Sequence, residues 1–102
     1  TLGYILEILK AQGWRIVVTS WLAKESTREY DEMVRRAKRE WLAKHLPSVE
    51  WDRVVIVEYG TPKQEFCDYE GDILFDDEEP NRKAWTGRAY DVENILEILK
   101  NL

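Results

Sequence analysis

The sequence predicts an α/β fold, a small parallel sheet with helices on both faces, and three observations carry that prediction. First, Arg-Ile-Val-Val-Thr at 15–19 and Val-Val-Ile-Val at 54–57 are β-branched runs without alternation, as in strands buried on both faces. Second, the residues between them repeat apolar side chains at helical spacing, so strand, helix and strand follow one another as in a right-handed crossover. Third, Ile73, Leu74 and Phe75 form another short apolar run, long enough for a buried strand, and four acids follow it directly.

Each element has its own signal. Residues 2–12 place Leu2, Ile5, Leu6, Ile8 and Leu9 in a short amphipathic pattern, with Gly13 as its C-cap. A strand over 14–19 and a loop over Ser20–Lys24 come next. Ser26 and Glu29 have capping-box spacing, opening a helix over 27–46. Tyr30, Met33, Val34, Ala37, Trp41 and Leu42 form its apolar stripe. Lys24, Arg28, Arg35, Arg36, Lys38, Arg39 and Lys44 read mostly as a solvated face, and Pro47 stops the helix. After the 53–57 strand, Tyr59–Pro62 is a loop, and 63–70 has room for one helical turn. The third strand is Ile73–Phe75, residues 77–87 are a polar loop or short helix, and Arg88–Tyr90 is a short fourth strand. Asp91 caps a last helix with Val92, Ile95, Leu96, Ile98, Leu99 and Leu102 inward. Ile-Leu-Glu-Ile-Leu-Lys occurs at 5–10 and at 95–100, in flanks that differ, and reads as two similar helices rather than a repeat.

Composition bounds the function. The 102 residues suit one small domain spanning 1–102, and 44% hydrophobic content is enough for a core. A net charge of −5 with no basic run interleaved with aromatics argues against a nucleic-acid polymer as partner. Cys67 is the one cysteine, so no disulfide forms within the chain, in keeping with a reducing, cytoplasmic setting. No apolar run approaches the roughly 18 residues of a membrane span, and no signal-peptide pattern occurs.

Three polar groups fall where a parallel sheet would gather them, at the C-terminal ends of its strands. Thr19 and Ser20 end the first strand, Lys63 follows the second within loop reach, and Asp76 and Asp77 end the third. Hydroxyls hold phosphoryl oxygens, a lysine neutralises charge, and paired aspartates hold Mg²⁺ through oxygen. Taken singly, a Thr-Ser pair, a lysine after Thr-Pro and an acidic turn are ordinary surface chemistry; their order makes the combination more specific.

On these residues, Val-Val-Thr19-Ser20, Lys63 and Asp-Ile-Leu-Phe-Asp76-Asp77, the chain resembles the haloacid dehalogenase (HAD) superfamily over roughly residues 3–102. It is most similar to the 5′-nucleotidase-like, deoxyribonucleotidase branch. The resemblance implies a Rossmann-like three-layer fold and Mg²⁺-dependent hydrolysis of a phosphomonoester, a nucleoside monophosphate by preference. It assigns Thr19, Ser20 and Lys63 to phosphate, Lys63 to charge stabilisation in catalysis, and Asp76 with Asp77 to the metal. The family's first motif, Asp-x-Asp at the end of a central strand, occurs nowhere in the sequence; Asp31, the first aspartate, sits in the long helix. Two explanations follow. The chain is the C-terminal part of a longer enzyme, as the absence of an initiator Met favours, or it is a degenerate domain that binds without turnover. Without the nucleophile strand, open sheet edges would invite a homodimer or a missing N-terminal segment.

The remaining residues have plainer readings. His45 near a helix C-terminus is structural, and Cys67 is a spectator. Trp21 packs a loop or walls a pocket. Trp14, Trp41 and Trp51 are packing residues, and Trp85 covers or anchors the acidic loop.

Overall fold

Residues 2–102 are described by a computed structural model, and they form a mixed α/β structure with short parallel strands. The chain divides into two units, residues 1–61 and 62–102.

The first unit contains α1 (Leu2–Ala11), β1 (Val17–Trp21), α2 (Arg28–His45) and β2 (Arg53–Val57). Leu6 and Leu9 are the buried residues of α1, and Gly13 past its end has φ +97°, the left-handed turn a glycine C-cap supplies. β1 and β2 pair in parallel from Val17 opposite Arg53 to Trp21 opposite Val57. The strand thus runs two residues beyond its expected end, and Ser20 and Trp21 are paired residues rather than loop. The cause is the partner, because β2 offers backbone groups as far as Val57, whose carbonyl also accepts the Leu22 N–H at 2.7 Å. Lys10 and the Ile16 N–H both bond the Asp52 carboxylate and tie α1 to the approach to β1.

α2 starts one residue later than the capping-box spacing predicts. Thr27 is the N-cap, its hydroxyl accepting the Tyr30 N–H at 3.2 Å, while the Ser26 hydroxyl turns instead to Asp31. Thr27→Ala is expected to cost about 1 kcal/mol, and Ser26→Ala to leave the helix start in place; chemical denaturation of both variants checks this. The apolar stripe also divides. Asp31, Val34, Lys38 and Leu42 are half-buried on the packed face, whereas Tyr30, Met33, Ala37 and Trp41 are exposed. The expected core face is therefore rotated, because Lys38 and Arg35 deliver their charged ends to β1 and β2 and lay their stems along the sheet. Val18, Ser20, Val54 and Ile56 on the sheet and Lys38, Trp41 and Leu42 on α2 line an open groove of about 210 Å³.

The second unit contains a 3₁₀ turn (Lys63–Phe66), β3 (Leu74–Phe75), α3 (Glu79–Ala84), β4 (Ala89–Tyr90), a second 3₁₀ turn (Val92–Asn94) and α4 (Ile95–Lys100). β3 and β4 form their own two-stranded parallel sheet, Leu74 opposite Ala89 and Phe75 opposite Tyr90. The four strands thus make two separate pairs rather than one ladder. The Phe75 and Tyr90 rings lie 5.9 Å apart. Asp91 caps the second 3₁₀ turn through the Glu93 N–H rather than α4 itself. Of the expected inward residues at this end, Leu99 is buried, whereas Val92, Leu96 and Leu102 are exposed. The 3₁₀ turn shifts the helical phase relative to an α-helix running from Asp91. Among the described residues no helix is long and apolar enough to cross a membrane.

Candidate functional site

Asp76 is the one buried charged residue among those described, 3% exposed, directly after β3. Its position follows from the ladder: the Asp76 N–H donates to the Tyr90 carbonyl at 3.0 Å, so the pairing of β3 with β4 carries Asp76 inward. A carboxylate in such a place needs partners, and the next residues supply them. Oδ1 accepts the Glu78 N–H at 2.8 Å, and Oδ2 accepts from Asn81 Nδ2 at 3.3 Å. Oδ2 also meets Lys63 Nζ at 2.7 Å, in an ion pair whose side chains are 2% and 16% exposed. Arg82 donates to the Asp76 carbonyl at 2.8 Å and reaches Asp91 at 3.4 Å.

Lys63 is positioned from the other side. It opens the 3₁₀ turn after Pro62, and Gln64 in the same turn is held twice by Thr86. Gln64 Nε2 donates to the Thr86 hydroxyl at 3.0 Å, and the Thr86 N–H donates to Gln64 Oε1 at 2.7 Å.

Burial is the largest single influence on the Asp76 carboxyl and pushes its pKa up. The Lys63 hydrogen bond and charge, the Glu78 N–H and Asn81 outweigh it together, so the pKa lies below the ordinary carboxylate value. Asp76 is therefore an anion at neutral pH, fixed in orientation and facing a lysine.

The structure brings Lys63 and Asp76 together. Asp77 is adjacent and exposed. Thr19 and Ser20 belong to the first unit, where they pair with Val55 and Ile56. There Lys38 Nζ donates to the Ser20 hydroxyl and, at 2.7 Å, to the Trp21 carbonyl. Trp21 donates its indole N–H to the Thr61 carbonyl at 2.8 Å and packs its ring edge-on to Tyr59 at 5.2 Å, the packing role of its two readings. Sequence reasoning missed Lys38 and Asn81. Lys38 lies one turn from both Val34 and Leu42, a spacing that marks the packed face. Asn81 falls in the stretch expected to be a polar loop or short helix, with nothing in the sequence to single it out.

Among the described residues no three His, Cys, Asp or Glu side chains cluster as a ready metal cage. The donors present still fit a hard cation that takes one or two carboxylates and keeps its waters. An ionised Asp76 has lone-pair sites beyond those occupied by Glu78, Asn81 and Lys63, and Asp77, the next residue in the chain, is exposed with a carboxylate of its own. No protein-family model, curated protein or solved structure matches the chain.

Proposed function

We propose that this chain carries the metal- and phosphate-handling part of a Mg²⁺-dependent phosphomonoester hydrolase of the HAD, 5′-nucleotidase-like type, with a nucleoside monophosphate as the substrate class. The single observation behind this reading is the buried Lys63–Asp76 pair, a fixed carboxylate and a fixed ammonium. Both residues fall on the motifs that carry the family resemblance. Lys63 offsets charge on the phosphoryl group and holds Asp76 in one orientation. Asp76, with Asp77 beside it, is the oxygen donor set for Mg²⁺, which supplies Lewis-acid charge neutralisation when bound. Thr19 and Ser20 enter through the resemblance alone, as hydroxyl donors to phosphoryl oxygens. The Rossmann-like three-layer fold and a cytoplasmic setting belong to the same proposal.

A non-catalytic phosphate-binding domain is the second reading, favoured by one observation: no Asp-x-Asp occurs in the sequence, so the family's nucleophile and general acid/base are not among these residues. Both readings require the Asp76 site, and thermal unfolding tests it. Mg²⁺ with inorganic phosphate at about ten times the dissociation constant should stabilise the chain by about 1.4 kcal/mol, a shift of several degrees in Tm. Asp76→Asn and Lys63→Met should each remove the response relative to their own ligand-free baselines. A wild-type chain indifferent to the mixture refutes both readings. Mg²⁺-dependent release of phosphate from a nucleoside monophosphate then separates hydrolase from binder.

A further inference from the structure

We propose that α2 is a self-association surface, on which a second copy of this chain lays its own α2 antiparallel about a two-fold axis at Ala37. The starting observation is the exposed half of the helix's apolar stripe. Tyr30 is 49% exposed, Met33 62% and Trp41 55%, and Ala37 is exposed between them. They recur at i, i+3, i+7 and i+11, the spacing of a helix–helix seam. Tyr30, Met33 and Ala37 lie off the packed face of Asp31, Val34, Lys38 and Leu42, and Trp41 stands at its border, beside the sheet. From Tyr30 to Trp41 the stripe spans about 16 Å of an 18-residue helix about 27 Å long. It also continues into the apolar groove, which Trp41 lines.

Size and charge along the stripe identify the occupant. Ala37 sits at its centre, where a small side chain lets two helix axes approach. About Ala37 the positions are complementary in an antiparallel pair. Met33 lies four residues before it and Trp41 four after, so each copy's Met33 faces its partner's Trp41, a favourable sulfur–aromatic contact. Tyr30 and Lys44 are likewise equidistant, which brings Glu29 of one copy to Lys44 of the other. On the flank, Arg36 falls within one turn of the other copy's Glu40. Glu29, Arg36, Glu40 and Lys44 are all exposed. A parallel pair would instead turn that flank toward the partner's opposite flank, the side of Val34 and Lys38, and would form neither of these charge pairs. Each contact occurs twice by symmetry, as an isologous interface requires.

Sedimentation equilibrium of the whole 12.1 kDa chain tests this. The expected result is a weight-average mass that rises toward twice the monomer with concentration. Met33→Glu, at an exposed position that leaves the far-ultraviolet circular dichroism unchanged, should hold the chain monomeric over the same range. Arg36→Glu and Glu40→Arg should each weaken the dimer roughly five- to tenfold, and the two together should restore it. A chain monomeric at about millimolar concentration, or a dimer unmoved by Met33→Glu, overturns the proposal. A dimer lost with Met33→Glu but indifferent to both charge reversals overturns the antiparallel register.

Discussion

Asp76→Ala is expected to lower the free energy of unfolding by about 3–5 kcal/mol at neutral pH. The substitution removes a carboxylate 3% exposed, and with it the ion pair of the largely buried Lys63 and the acceptor of the Glu78 N–H, while the Asn81 amide keeps its bond to the Glu78 carboxylate. Loss of the ion pair from a largely desolvated site is the costliest of these. Since small domains have only about 5–15 kcal/mol in all, the variant should be close to unfolded in mild denaturant. Asp76→Asn keeps the shape and part of the hydrogen bonding, so it should lose less. pH separates the charge from the packing. The folded carboxyl titrates below its unfolded value of about 3.9. Its stabilisation is therefore complete above that value and is lost as pH falls through the lower, folded pKa. Denaturation midpoints from pH 7 to pH 2 should show wild type losing stability below about pH 4, with a shallower slope in Asp76→Asn. Some slope should remain, because the Asp52 carboxyl is also held low, by Lys10 first and then by the Ile16 N–H. An unchanged slope in Asp76→Asn would show that the pair contributes nothing through charge.

Gly87→Ala should cost about 2–4 kcal/mol, from overpacking and the loss of one hydrogen bond. A Cβ at Gly87 would lie 2.6 Å from the Asp72 carbonyl oxygen and 3.2 Å from Trp85 Nε1. Those two atoms are already joined, the indole N–H donating to the carbonyl at 2.8 Å. The added methyl would thus fall on the link between the turn before β3 and the turn before β4. Asp72 is further fixed by its own carboxylate, which accepts the Asp68 and Tyr69 N–H groups at 3.2 Å each, so the carbonyl cannot easily yield. Trp85→Phe removes the hydrogen bond together with the indole edge that carries it, without forcing a new contact, and should cost less. Because both changes act on the same link, Gly87→Ala with Trp85→Phe should cost less than the two added together. Full additivity in urea denaturation would show that the methyl acts elsewhere.

The elements that show themselves in sequence are those whose signal is local. α2 is legible because its period extends over five turns, and β2 because four β-branched residues stand together. The end of β1 is not, since Ser20 and Trp21 carry no strand signal and are held in the ladder by Ile56 and Val57. The rotation of α2 is also hidden: counting Tyr30, Met33 and Trp41 as core ignores that the long stems of Lys38 and Arg35 can occupy the packed face while their ends bond β1 and β2. The same limit applies to the site. Lys63 and Asp76 could be singled out by chemical type and placement after strands, but Asn81 and the Gln64–Thr86 clasp could not, because they matter only through distances. The Mg²⁺ and phosphate roles rest on the resemblance and on the chemistry of the Lys63–Asp76 pair.

The two parallel pairs differ in how much chain must be brought round before they can form. Val17 meets Arg53 only after the whole of α2 has been traversed, whereas Leu74 meets Ala89 across a connection less than half as long, with the short α3 inside it. Closure entropy grows slowly with length, about 0.6 kcal/mol per doubling, so the second pair has a modest head start from length alone. The larger difference is kinetic order. β1 and β2 gain little from closure until α2 has shortened the path between them, so the helix is expected to belong to the folding nucleus of the first unit. Thr27→Ala is then expected to slow folding as well as to lower stability, and refolding rates of that variant check this.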